Sequence, residues 1–114
     1  MASYTDLIKG IMAENIGAAK TAEQHYVAAA HRVDNGRDSA AAAWAYVRLL
    51  RLAIDRDAEA ASAFLPKARH AATQAAEIHI TAYLHQAVSV MEGQLGRPAE
   101  SRRHCEIVDS LLAS

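Results

Sequence analysis

A single cysteine in 114 residues, Cys105, leaves no partner for an internal disulfide and no pair for a zinc knuckle or a redox motif. Charge of one sign is lacking too: 12 Lys and Arg stand against 13 Asp and Glu, a formal net charge of -1. Without a broad basic field the chain cannot neutralise many phosphates, so nucleic acid is not expected as a partner. The only compact basic cluster, Arg97, Arg102, Arg103 and His104, is offset by Glu100 and Glu106. The longest unbroken apolar run, residues 40–47, falls far short of the roughly 20 residues that span a bilayer, so no membrane span is expected. The first residues, Met1 to Asp6, lack a basic region followed by an apolar run, and a cytoplasmic protein is the expectation. There is no Gly-rich phosphate loop and no nucleophile elbow, so neither an enzyme nor a bound cofactor is expected.

With 2 prolines and 5 glycines, little interrupts regular structure, and 27 alanines supply the residue that loses no side-chain entropy in a helix. An all-α fold follows, as one helical domain over residues 1–114. Its expected form is an antiparallel bundle of four to six helices or a set of repeat-like helical hairpins.

Residues 3–35 place Tyr4, Ile8, Ile11, Ala18, Ala22, Tyr26, Ala29 and Val33 at three- and four-residue steps, with Asn15 filling one step. That is the spacing of one helical face, weakened at Gly10 and Gly17, where a break fits, and ended at Asn35-Gly36. Asp38 or Ser39 can cap a second helix over residues 39–55. Ala43, Tyr46, Val47, Leu50, Ala53 and Ile54 cover much of that helix, with Leu49 and Leu52 outside its central apolar face. A helix apolar over more than half its circumference must be covered on two sides, so it is either the middle element of the fold or part of a subunit interface.

Asp57 can cap a third helical region that runs toward Gly93, with a kink or restart at Pro66. Its Ala-rich part, from Ala68 to Ala76, permits close helix approach, and Ile80, Leu84, Ala87, Val88, Met91 and Leu95 supply bulk. Gly96 stops it, and Pro98 opens a last helix with Cys105, Val108, Leu111 and Leu112 directed inward. On that stripe Cys105 reads as a buried structural thiol.

Residues 89–108, SVMEGQLGRPAESRRHCEIV, resemble the centre of a tetratricopeptide repeat. Gly96 matches the turn of that family, Ser101 the small residue five positions later, and Cys105 and Val108 the next inward positions. A weaker echo aligns Gly36-Arg37 with Gly96-Arg97 and Ala41 with Ser101, at a spacing of 60 residues where regular repeats would give 34 or 68. What the resemblance implies is a protein-binding scaffold with a concave face.

Two groups of side chains stand out. Trp44, the only tryptophan, lies on one stripe of the second helix with Arg48, Arg51 and Asp55, and Trp with Arg is the pairing most enriched where binding energy concentrates. This stripe either binds a partner or is covered internally, with Arg48 stacked on the Trp44 ring. The six histidines form the other group. They show no HExxH or Glu-x-x-His pattern, and pairs six apart do not share a helix face. A bundle can still assemble a metal site from single residues on facing helices, with Glu14, Glu77, His79 and His85 as the candidate ligands. The expected function is therefore a small helical interaction module or adaptor that binds a protein partner or a second copy of itself, a homodimer. The alternative is a helical metal or cofactor binder using several of its histidines.

Overall fold

In the computed structural model, which describes residues 2–31 and 39–113, the helix that needs cover on two sides receives it within the chain. Among the described residues seven helices follow one another: α1 (Ala2–Asn15), α2 (Ala19–His31), α3 (Ser39–Arg56), α4 (Ala58–Ala61), α5 (Leu65–Ala75), α6 (Ile78–Gln94) and α7 (Pro98–Leu112). The all-α class holds, but the described helices exceed the expected four to six by one, because the third expected region is divided at Ala76 as well as before Pro66. No helix among the described residues is long and apolar enough to cross a membrane.

The first break falls at Gly17, whose φ of 80° belongs to the left-handed region that glycine enters without steric cost. The second is at Ala76, φ 51°, where the expected region from Asp57 to Gly93 turns sharply and α6 begins. Nothing local announces this break, since alanine is the best helix former. Glu77 makes it tolerable: its carboxylate accepts from the His79 and Ile80 backbone N–H groups at 3.1 and 3.2 Å, a cap built by a residue type outside the usual set. Asp57 caps α4 as expected, accepting from the Glu59 and Ala60 amides. Pro66 restarts the chain in the first turn of α5. Asn35, Gly36, Arg37 and Asp38 lie outside the described residues, as does Val33.

Three pairs of helices build the fold. α1 packs on α2 across a short Gly17 turn, α3 on α5, and α6 on α7 across the Gly96 turn, whose φ is 79°. The pairs are stacked: α2 packs on α3 and α5 on α6, while α3 also touches α1 and α6. The core divides accordingly. One cluster holds Ala43, Val47, Leu50 and Ile54 of α3 with Ala68, Ala72, Ile80, Leu84, Val88 and Met91. The other holds Ala41, Ala45 and Leu52 of α3 with Leu7, Ala13, Ala22, Tyr26 and Ala29. Trp44 and Tyr46 pack against both. The doubly apolar helix is thus the middle element of the fold.

The single face expected from Tyr4 to Val33 does not survive the Gly17 break. α2 buries Ala22, Tyr26 and Ala29 as the spacing predicts, but α1 buries Leu7 and Ala13 and leaves Tyr4 and Ile8 exposed. A turn that reverses the chain resets the phase, so two helices need not present the same stripe. On α7 the inward reading also needs correction. The helix has no buried residue, Leu112 is exposed, Val108 and Leu111 are half-buried, and Cys105 is an exposed thiol whose Sγ lies 3.0 Å from Ser89 Oγ. Among the described residues α7 packs chiefly on α6, so its apolar stripe meets fewer neighbours than that of α3.

Close approach of α1 and α2 depends on Gly10. A Cβ there would sit 2.5 Å from Cε1 of the buried Tyr26 ring, whereas one at Gly93 would lie 3.6 Å from Ser101 Oγ, an ordinary contact. Gly10→Ala is expected to destabilise by about 1–3 kcal/mol through overpacking. Gly93→Ala is expected to be neutral or to stabilise by up to about 1 kcal/mol through helix propensity. Urea unfolding of the two variants checks the contrast.

Candidate interaction surface

The stripe Trp44, Arg48, Arg51 and Asp55 occupies the side of α3 between α1 and α6, and the structure gives its members different surroundings. Trp44 is half-buried and meets Tyr83 of α6 edge-on, with ring centroids 5.7 Å apart at 68°. Arg48 places its guanidinium 5.1 Å from the centroid of the same Tyr83 ring, not over Trp44. The electron-rich ring face attracts the cation, and partial burial strengthens the attraction. On its other side Arg48 Nη1 lies 3.4 Å from Oε1 of Glu14, which also accepts from the Tyr26 hydroxyl at 2.5 Å. One arginine therefore links a carboxylate of α1, a ring of α6 and, through Glu14, a phenol of α2. Arg48 Nε is buried with no hydrogen-bond partner among the described residues. Arg51 and Asp55 pair with each other at 2.5 Å one turn further along and stay accessible.

Burial raises the pKa of both phenols of this cluster above the ordinary tyrosine value, and the Glu14 charge adds to the effect. At both rings the Arg48 charge works the other way. Both rings are neutral at physiological pH, and Tyr26 stays a donor to Glu14.

Beside this cluster lies a groove of about 180 Å³ lined by Trp44, His79, Ala82, Tyr83, Val108 and Leu112, together with Gln86. Its walls are mostly apolar, with His79 and Gln86 supplying polar groups. A larger recess of about 430 Å³ lies between α2, α3 and α4, walled by Val27, Leu49, Ala53, Ala61 and Phe64, with the Glu23–Arg56 ion pair beside them.

Sequence reasoning singled out Trp44 and Arg48 but not Tyr83, the residue both contact. The missed signal is a spacing. Trp44 and Tyr83, 39 residues apart, are each the sixth residue of their helices, and the positive-φ turns Gly17 and Gly96 are 79 residues apart, one more than twice that interval. Among the described residues Gly96 thus has a counterpart in Gly17.

The candidate metal ligands do not converge. Glu77 is spent on capping α6, with Oε1 also 3.0 Å from His79 Nδ1, and the backbone and side-chain hydrogen bonds from His79 hold its carboxyl below the usual glutamate range. Glu14 belongs to the Arg48 cluster. His85 faces α7, where its Nδ1 is 2.8 Å from His104 Nδ1 and the rings stack at 5.1 Å. No group of three His, Cys, Asp or Glu side chains among the described residues could hold a metal ion.

The His85–His104 contact joins α6 to α7 and needs one ring to donate and the other to accept at Nδ1. Two imidazolium rings would present two donors to each other. Burial lowers the pKa of both; the neighbouring His104 and Arg69 add to this at His85, and Arg103 adds to it at His104, where Glu100 and Glu92 oppose. The unfolded chain, with histidine near about 6.5, binds protons that the folded chain resists. The stability this pair contributes is therefore complete above that value and lost as pH falls toward the lowered folded values. His104→Gln is expected to flatten the loss of stability between neutral and mildly acid pH, read from urea midpoints across that range. No family model, curated protein or solved structure matches the chain in comparisons with known proteins.

Proposed function

We propose that this chain is a small helical interaction module, an adaptor whose hairpins stack in the manner of tetratricopeptide repeats and which binds a protein segment along the side of α3 between α1 and α6. The observation that carries the reading is the Trp44–Tyr83 pair. Two aromatic residues at equivalent positions of successive first helices form one apolar wall, with the Arg51–Asp55 pair accessible one to two turns along the same stripe of α3. Aromatic rings and arginine are the groups most often found where binding energy concentrates.

The stacking pattern supports the reading: the second helix of each hairpin packs on the first helix of the next, as in repeat scaffolds. The spacing of 39 residues and the division of the middle second helix into α4 and α5 are departures from the family's regular unit. The expected ligand is a short peptide with one apolar anchor for the Trp44–Tyr83 groove and an acidic residue for Arg51. Trp44 and Arg48 are partly internal, so Arg51 is the better residue to change.

Peptides selected from a displayed library provide the test, with fluorescence of Trp44, the sole tryptophan, as the reporter. Binding is expected to shift that fluorescence, and Arg51→Glu is expected to weaken it about tenfold or more with the circular dichroism unchanged. Selected peptides that bind Arg51→Glu equally well and leave Trp44 unperturbed would place the binding surface elsewhere.

A further inference from the structure

We propose that the chain assembles head to tail, with α1 of one copy seated on the outer face of α7 of the next. Inside the molecule α2 packs on α3 and α5 packs on α6, so each hairpin offers its second helix to the first helix of its successor. Among the described residues that rule leaves two surfaces unused, the outer sides of α1 and of α7. Both are apolar.

On α1, Tyr4, Ile8 and Met12 recur every four residues, 42%, 55% and 62% exposed, and Ile16, in the turn that follows, is 81% exposed. Residues four apart lie on one ridge, so the three helical side chains form a continuous apolar line along α1 that Ile16 extends into the turn. End units of stacked repeats ordinarily turn a polar face to water, and a line of this kind marks a surface that is covered when assembled.

On α7 the complementary feature is a groove of about 350 Å³ lined by Ile78, Ile107 and Leu111, with Arg103, Glu106 and Ser110. Arg103, Ile107 and Leu111 again recur every four residues. They are separate from the residues α7 turns toward α6, namely Ser101, His104 and Cys105, which contact Ser89 and His85. Ile78, at the first position of α6, remains 42% exposed in this groove. Charge fits the same pairing. The exposed Lys9 adjoins the α1 ridge, and Glu106 lies in the α7 groove.

A contact between two different patches is heterologous, and unless rotation closes a ring it propagates. A second copy seated there continues the internal stacking, whereas two α1 ridges meeting each other would leave the α7 groove open. The Trp44 side of α3 takes no part, so the inference stands or falls apart from the proposed peptide site.

The test uses Ile8→Glu and Ile78→Glu, both at exposed positions, the second at a helix N-terminus that favours an added carboxylate. Light scattering coupled to size exclusion is expected to give a wild-type mass that rises with concentration beyond twice 12.3 kDa. Each variant alone is expected to be monomeric. A mixture of the two retains one intact α1 and one intact α7 surface, so it is expected to stop at a heterodimer. Arg51→Glu is expected to assemble as the wild type does. Wild-type protein that stays monomeric to about 1 mM would overturn the proposal. So would an Ile78→Glu variant that still dimerises, the outcome of an α1–α1 contact.

Discussion

The structure depends on the need to cover α3 on both sides. Its 18 residues carry apolar side chains around most of the circumference, and burial of that surface is worth about 25 cal/mol per Å² removed from water. One neighbouring helix cannot cover it. α1 and α2 therefore close over Ala41, Ala45 and Leu52, and α5 and α6 over Ala43, Val47, Leu50 and Ile54. The two cores communicate through Trp44 and Tyr46, so α3 is the shared wall of the molecule.

Alanine sets how near the neighbours come. Ala22, Ala29, Ala41, Ala43, Ala45, Ala68 and Ala72 are all buried, and short side chains let helix axes approach until larger residues such as Tyr26 and Leu50 fill the remaining space. Gly10 takes this furthest, giving the Tyr26 ring room against the α1 backbone and thereby letting its hydroxyl reach Glu14. The polar cluster of Glu14, Tyr26, Arg48 and Tyr83 follows from that packing. A carboxylate and a guanidinium can be drawn inward because each finds a partner, and among the described residues Arg48 Nε goes without.

The ends of the fold are less well covered than its middle. α3 has neighbours on several sides, while α1 keeps an apolar line toward solvent and α7 a groove in which Ile107 and Leu111 are half-buried. α7 in particular is held through one face, by Ser89 against Ser101 and Cys105 and by the histidine pair, contacts that are polar and in part pH-dependent. The same fold that makes the centre redundant in apolar contacts leaves the periphery with surface to offer.

Much of the helical plan was legible residue by residue. Alanine content fixes the class, Gly17 and Gly96 mark turns because only glycine enters the left-handed region cheaply, Asp57 caps, and Pro66 starts a helix because its missing N–H is unneeded there. The two-sided burial of α3 was also readable, since it is a property of one helix's own pattern. What only the tertiary structure decided are relations between helices. Ala76 breaks a helix against its own propensity because α5 and α6 both pack on α3, and the phase of α1 is set by its neighbours α2 and α3. Arg48 meets Glu14 across 34 residues and His85 meets His104 across 19, pairings that depend on where stacked hairpins place their side chains and that no local spacing encodes.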